Sequence, residues 1–121
     1  MLLLSGKVKN GKKRGSRLGF PTINIPVSRS VKKNQWGIYF SLVKLDGKIY
    51  PGATHLGPPR MFHLTPTCET YLLTRQGNLY GKQVEKRLLF KFRDIEEFSS
   101  VKVLRRQIGK DIAAAKRFFG L

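Results

Sequence analysis

The segment from Gly11 to Asn24 carries residue types that bind phosphate and a divalent metal. Its sequence is GKKRGSRLGFPTIN. Glycines let backbone N–H groups approach an anion, and the lysines and arginines neutralise it. Pro21 favours extended chain around it, so Thr22 and Asn24, two residues apart, point to the same side. Two neutral oxygen donors beside phosphates suit Mg²⁺. The segment therefore predicts a nucleotide triphosphate site; the alternative is a solvated surface loop.

Glu69 is the second candidate for chemistry. It lies in the middle of the predicted strand TCETYLL, on the same face as Tyr71 and Leu73. A carboxylate partly buried beside such side chains can act as a general base for a hydroxyl nucleophile. The alternative is an ordinary glutamate on a half-solvated strand, and the sequence alone leaves both open.

The remaining reactive side chains do not form a recognisable site. His55 and His63 are separated by a proline-rich loop and have no local ligand partner, so we expect no metal there. Cys68 is the only cysteine, which excludes an internal disulfide. It neighbours Glu69 but points to the opposite face of the strand and has no nearby histidine, so a nucleophilic role is not expected.

The charge of the chain is strongly one-sided. Lysine and arginine total 24 against 7 aspartates and glutamates, a net charge of +17 in 121 residues, and no acid precedes Asp46. This favours an anionic partner, which could be nucleic acid, a polyphosphate or an acidic membrane surface, or else a basic solvated surface with no partner. The apolar runs are too short for a membrane span or a secretory signal, so we expect a cytoplasmic protein.

The elements that must position these residues are mostly strands. Asp46-Gly47 between two apolar runs predicts a β-hairpin. A stripe of apolar residues at helical spacing, beginning at Leu104 and ending at Phe119, predicts one helix with a serine cap at Ser99 or Ser100. The predicted strands are Leu2–Val8, Phe20–Ile25, Trp36–Leu45, Lys48–Ala53, Thr67–Leu73 and about Leu79–Phe92, with a long loop over 56–66. This pattern favours a small antiparallel barrel or sandwich with a C-terminal helix.

Several motifs, in order along nearly the whole chain, together resemble the riboflavin kinase family, whose members use ATP to convert riboflavin to FMN. Leu18–Asn24 (LGFPTIN) resembles the family's LGxPTAN, with Ile23 in place of alanine. GIY at 37–39 and CETYLL at 68–73 resemble two of its strands, and GNLYGK at 77–82 resembles its GDLYGK turn. The ending FRDIEEFSSVKVLRRQIGKDIAAAK resembles the family's C-terminal pattern.

The resemblance implies a mainly-β fold, a six-stranded antiparallel Greek-key barrel over residues 1–121, with a C-terminal helix at about 100–119. It also implies roles for individual residues. Thr22 and Asn24 would hold Mg²⁺, with Zn²⁺ as the alternative metal, and Glu69 would take the proton from the riboflavin 5′-hydroxyl. The residues implied to bind ATP are Gly15, Ser16, Arg17, Gly19, Thr22 and Tyr80. The residues implied to contact the flavin are Gly57, Phe62, Arg93 and Phe98.

Two features depart from the family pattern. HLGPPRMF, from His55 to Phe62, stands where the family usually has NIGxxPTF, which bears on the flavin loop. The adenylyltransferase domain of many bacterial relatives is absent from this sequence, so we expect the reaction to stop at FMN. We expect a monomer with riboflavin, FMN, ATP and ADP as its ligands and no membrane partner. The alternatives are a basic barrel that binds nucleic acid and a flavin-binding relative with weakened kinase activity.

Overall fold

A computed structural model describes residues 1–9, 20–58 and 66–121 of the chain. Over these residues it contains six strands and one α-helix, with a short 3₁₀ turn at Lys33–Gln35. The strands are β1 (Leu2–Lys7), β2 (Ile23–Ile25), β3 (Gly37–Leu45), β4 (Lys48–Gly57), β5 (Thr67–Leu72) and β6 (Gln83–Arg93), and the helix is α1 (Val101–Phe118).

The six strands form one antiparallel sheet in the order β1-β6-β3-β4-β5-β2. The two outer strands approach each other, because the Lys9 amide, just beyond β1, donates a 2.7 Å hydrogen bond to the Asn24 carbonyl of β2. The sheet is therefore a nearly closed barrel. The predicted mainly-β barrel with a C-terminal helix is confirmed.

Alternation along each strand separates an inner face from an outer face. The inner side chains form the main apolar core, in which Ile25, Leu56 and Cys68 are fully buried. The inner face also holds a row of buried hydroxyls, in which Thr54 makes 2.7 Å hydrogen bonds to both Ser41 and Thr70. This row ties β3, β4 and β5 together and leaves none of its three hydroxyl groups without a partner.

The β3–β4 hairpin turns at the predicted position. Asp46 and Gly47 both have positive φ, 51° and 76°, which is the geometry of a type I′ turn. Aspartate and glycine tolerate this conformation better than other residues. The local signal in the sequence therefore determined the turn.

The helix α1 packs its apolar stripe on the outer face of the barrel. Leu104 and Ile108 pack with Phe20 and Phe98, and Ala115 packs nearer the helix end. Ser100 is the N-cap, its hydroxyl accepting a 3.2 Å hydrogen bond from the Val103 amide. Gly120, with a φ of 72°, follows the last turn. The predicted cap and end are confirmed.

Three strand boundaries differ from the prediction. β4 continues past Ala53 to Gly57, because Leu56 pairs with β3 and β5 and its side chain is buried in the core. β6 begins at Gln83 and not at Leu79, because Gly81 takes a positive φ of 81° in the preceding turn. β2 covers only Ile23–Ile25 of the predicted extended run.

Candidate functional site

The central feature of the candidate site is a row of three residues across neighbouring strands. Asn24 of β2 lies directly opposite Glu69 of β5, and Glu69 lies directly opposite His55 of β4. Directly opposed residues in an antiparallel pair have Cα atoms about 4.5–5.5 Å apart and project to the same face. Since their sequence neighbours lie inside the barrel, these three side chains lie on its outer face.

Asn24 presents an oxygen suited to a ligand. Its side-chain Oδ1 is buried and has no hydrogen-bond partner among the described residues. Its backbone carbonyl is held by the Lys9 amide. A buried carbonyl oxygen without a donor is costly unless a ligand supplies the missing interaction. The site therefore fits a hard cation or a nucleotide group at this position.

Thr22 is half-buried and lies one residue before β2, two residues from Asn24. The glycine-rich segment begins after Lys9, which bonds Asn24, and ends before Phe20, two residues from Thr22. Both of its attachment points are therefore next to the proposed metal ligands. The predicted nucleotide-binding residues Gly15, Ser16, Arg17 and Gly19 fall outside the described residues.

Glu69 is half-buried, as its strand pattern predicted. The cross-strand neighbour on its other side, His55, is buried, with 2% of its surface exposed. The sequence gave His55 no role, because it lies fourteen positions earlier and only the β4–β5 register places it beside Glu69. No local pattern could have identified this pair.

Tyr80 lies in the turn before β6, with 62% of its surface exposed. Its amide donates a 3.0 Å hydrogen bond to the Asn78 side chain, and the next residue, Gly81, donates a 2.9 Å bond to the Val8 carbonyl. Val8 immediately precedes Lys9, so this turn is fixed at the same end of β1 as the start of the glycine-rich segment. Its contact with a nucleotide stays a prediction.

The predicted flavin residues fall into two neighbouring segments. Gly57 ends β4 with a φ of 141°, and a Cβ placed on it would come within 3.3 Å of Trp36 and Ile95. The end of β4 therefore meets the segment that follows β6. Phe98 packs against the start of α1. Phe62 falls outside the described residues.

Arg93 has a clear structural partner. Its Nε and Nη2 donate hydrogen bonds of 2.8 Å and 2.7 Å to the two carboxylate oxygens of Asp111, which is buried on α1. Its Nη1 donates to the Asp94 carbonyl. Arg93 therefore joins β6 to the helix, and the sequence pattern did not indicate this ion pair.

The donor set fits a metal that takes few protein ligands. Across residues 1–9, 20–58 and 66–121 there is no cluster of three or more His, Cys, Asp or Glu side chains that could hold a metal ion. Mg²⁺ commonly takes only one or two protein oxygens and completes its shell with phosphate and water. Thr22 and the free Oδ1 of Asn24 suit that arrangement. None of the helices in the described ranges has the length and hydrophobicity that a bilayer span requires.

Comparison with known proteins adds a family. A model of the riboflavin kinase (flavokinase) family matches residues 1–119. The chain is 35% identical over 121 residues to the RNA-binding riboflavin kinase RibR of Bacillus subtilis, covering 98% of this chain and 52% of that protein. It is 34% identical over 120 residues to the bifunctional riboflavin kinase/FMN adenylyltransferase of Escherichia coli K12, covering 98% of this chain and 38% of that protein.

A solved structure shares the fold. It is a crystal structure described as a macrolide-efflux protein from Streptococcus pneumoniae, with a TM-score of 0.80 and 25% identity, covering 95% of this chain and 38% of that one. The chain thus spans about half, or less, of the length of the relatives it matches.

Proposed function

Because the chain belongs to the riboflavin kinase family, we propose that it transfers the terminal phosphoryl group of ATP to the 5′-hydroxyl of riboflavin, giving FMN and ADP. The observation that carries this proposal is the direct opposition of Asn24 and Glu69 across β2 and β5. It brings a candidate metal or nucleotide ligand and a candidate base to one spot on the outer face. Phosphoryl transfer needs such positioning and charge neutralisation more than covalent chemistry by the protein.

In the proposed reaction, the Glu69 carboxylate accepts the proton of the riboflavin 5′-hydroxyl as the oxygen bonds to the terminal phosphorus. The bond from that phosphorus to the bridging oxygen of ADP breaks, and ADP leaves. Glu69 is half-buried, which keeps one carboxylate close to the acceptor and limits competition from water. The rigid β2–β5 pairing fixes the carboxylate relative to Asn24.

Thr22 and Asn24 would hold the divalent metal, with Mg²⁺ proposed and Zn²⁺ as the alternative. When bound, the metal would neutralise the negative charge of the ATP phosphates. Gly15, Ser16, Arg17 and Gly19, with Tyr80, would bind the nucleotide. Their segment starts and ends beside the metal ligands, which supports this assignment.

The flavin ring would lie between the loop after β4 and the segment after β6, in contact with Gly57, Phe62, Arg93 and Phe98. The proximity of Gly57 to Ile95 supports this, because it brings these two segments together. Arg93 would contribute mainly by holding the segment, since two of its nitrogens are engaged by Asp111.

The direct test is incubation of the protein with riboflavin, ATP and Mg²⁺, with FMN resolved by chromatography. FMN and ADP should form in equal amounts, and no FMN at high protein concentration refutes the proposal. Glu69→Gln should lower kcat by about 10²–10⁴-fold while nucleotide binding persists. Glu85→Gln is the matched control, because Glu85 is also half-buried on a strand but pairs with Arg87 at 3.5 Å.

A second candidate function is binding of nucleic acid, because the kinase reaction does not require a net charge of +17. The exposed face of α1 carries six basic side chains, and its one acid, Asp111, is buried against Arg93. The basic residues are Lys102, Arg105, Arg106, Lys110, Lys116 and Arg117. At 100° per residue they occupy an arc of about 140°, which we call the basic face of α1.

The dimensions of the basic face of α1 suit a phosphate backbone. The distance from Lys102 to Arg117 along the helix is about 22 Å. One strand of a duplex carries a phosphate about every 3.4 Å, so about six phosphates match the six cations. A membrane surface fits less well, because the apolar stripe of α1 is packed against the barrel and cannot enter a bilayer. The name of the B. subtilis relative, an RNA-binding riboflavin kinase, also supports nucleic acid.

Two triple variants with equal charge test this candidate. Lys102→Gln/Arg106→Gln/Lys110→Gln removes three charges from the basic face of α1, and Arg29→Gln/Lys44→Gln/Lys48→Gln removes three exposed charges elsewhere. Fluorescence anisotropy with a 16-base-pair RNA duplex should show that the first triple reduces the slope of log K against log salt by about 3.

The control triple should change the slope by less than 1. Equal losses in both triples would assign the binding to overall charge and not to α1. No binding of the wild type at low salt refutes the candidate, and binding to anionic vesicles in preference to the duplex indicates a membrane partner.

A further inference from the structure

Lys86 is a lysine inside the barrel. It lies on β6 between Val84 and Leu88, on the inner face, and its side chain is fully buried. Strand β6 is not a neighbour of β2 or β5 in the sheet. The side chain therefore crosses the interior to reach the opposite wall, where the candidate site lies on the outside. A buried amine at this position is not required by the proposed reaction.

The contacts of Lys86 single out two peptide groups. Its Nζ donates a 2.9 Å hydrogen bond to the Ile23 carbonyl of β2 and a 2.8 Å bond to the Cys68 carbonyl of β5. The first carbonyl belongs to the peptide unit that joins Ile23 to Asn24. The second belongs to the unit that joins Cys68 to Glu69. Because a peptide unit is planar, holding its carbonyl also fixes the Cα of the residue that follows.

We propose that Lys86 is a positioning residue for the kinase site: from inside the barrel its amine holds the peptide units that precede Asn24 and Glu69. This interaction sets the spacing between the proposed ligand amide and the proposed base on the outer face. The inference rests on the proposed kinase function. Lys86 does not contact the reacting groups itself, since its bonds are to backbone carbonyls on the inner side.

The hydrogen-bonding capacity of the amine accounts for this arrangement. A neutral amine has two N–H groups for the two carbonyls and one lone pair for the Cys68 thiol, which also hydrogen-bonds to it. Every polar group in the cluster is then satisfied without a buried charge. A methionine or leucine at position 86 would fill the space but would leave both carbonyls without this donor.

The test compares Lys86→Met with Cys68→Ala. Lys86→Met removes the amine, whereas Cys68→Ala removes the thiol and leaves the amine on both carbonyls. At a temperature where circular dichroism shows each protein to be folded, Lys86→Met should lower kcat by about 10–100-fold with the riboflavin KM unchanged. Cys68→Ala should retain kcat within about twofold.

A second measurement does not depend on activity. Hydrogen–deuterium exchange followed by mass spectrometry should be faster in Lys86→Met for peptides covering 22–25 and 67–71, and unchanged in the β3–β4 hairpin. If kcat and exchange in these peptides both match the wild type, the proposal is overturned. An equal loss of kcat in Cys68→Ala also overturns it, because the effect would then be one of interior packing.

Two further outcomes are separable. A folded wild type that makes no FMN refutes the proposed function, while the exchange result still decides whether Lys86 holds the two strands. If Lys86→Met does not fold, NMR couplings across hydrogen bonds from labelled Lys86 Nζ to the Ile23 and Cys68 carbonyls of the wild type replace it. The absence of either coupling overturns the proposal.

Discussion

Arg93 and Asp111 form a two-pronged ion pair that fastens the end of β6 to α1. Both carboxylate oxygens accept a hydrogen bond from the guanidinium, at 2.8 Å and 2.7 Å, and the Gln107 side chain donates a third bond to Asp111 at 3.0 Å. The carboxylate side chain is only 5% exposed and the arginine side chain 17%. This pair holds the helix next to the segment proposed to contact the flavin.

The first prediction concerns this ion pair. Asp111→Ala leaves a largely buried guanidinium without its carboxylate, so the free energy of unfolding should fall by about 3 kcal/mol. Urea unfolding at pH 7 measures the loss. Gln107→Ala, which removes one neutral donor, should cost only about 1 kcal/mol.

The double variant Arg93→Met/Asp111→Leu tests the cause of the loss. It replaces both charges with apolar groups, so it should recover most of the stability that Asp111→Ala loses. A loss below about 0.5 kcal/mol in Asp111→Ala would show that water satisfies Arg93 equally well.

The second prediction concerns the first turn of α1, which contains no acidic residue. Ser100 is the N-cap, and Val103, at the third helical position, is 44% exposed. Val103→Glu should complete a capping box and place a negative charge near the helix N-terminus, raising the free energy of unfolding by about 0.5–1 kcal/mol.

Val103→Gln separates the two contributions to that gain. It can form the same return hydrogen bond to Ser100 but adds no charge, so it should give part of the gain, and only the Glu variant should lose stability when salt is added. Thermal unfolding at low and high salt provides the measurement. A destabilised Val103→Glu would mean that the apolar contacts of Val103 outweigh its capping.

Local signals in the sequence determined the parts of the fold that depend on neighbouring residues. Asp46-Gly47 forms the predicted turn, and Ser100 and Gly120 flank the predicted helix. The placement of His55 opposite Glu69 could not be predicted, because it depends on the register of strands whose pairing is not local. A one-residue shift would have turned either side chain to the other face.

Lys86 was different, because a signal was available. It lies at an alternate position between Val84 and Leu88, both buried, so the period of two already placed it on the inner face. A lysine there conflicts with the usual preference for apolar residues in a core. Such local conflicts indicate positions at which the fold uses a specific interaction.

The third prediction concerns Gly57 at the end of β4. Its φ of 141° is rarely adopted by residues with a side chain, and a Cβ there would lie 3.3 Å from Trp36 and Ile95. Gly57→Ala should therefore lower the free energy of unfolding by about 1–3 kcal/mol and weaken riboflavin binding measured by flavin fluorescence.

Gly77→Ala is the matched control, because Gly77 also has a positive φ, 116°, but has open space around its Cβ position. It should lose stability through backbone strain alone and leave riboflavin binding unchanged. If both variants bind riboflavin equally well, the end of β4 does not contribute to the flavin site.

The fourth prediction is a pH dependence that arises from Lys86. Burial lowers the pKa of Lys86 below its ordinary value of 10.5 and raises the pKa of the Cys68 thiol. Between the lowered pKa and 10.5, the unfolded chain binds one more proton at this lysine than the folded chain does. The contribution of Lys86 to stability therefore rises with pH in that window, by at most about 1.4 kcal/mol per pH unit.

The measurement uses a background in which the thiol cannot titrate. Urea unfolding of Cys68→Ala and of Cys68→Ala/Lys86→Met is compared at pH 7, 8 and 9, where the difference in free energy should shift steadily in favour of the protein that retains the lysine. Below the lowered pKa the difference should become flat, because the amine is then protonated in both states. A difference independent of pH from 7 to 9 would mean that the amine stays charged inside the barrel. The two carbonyls would then be held by an ammonium ion, with the thiol as the acceptor of its third proton.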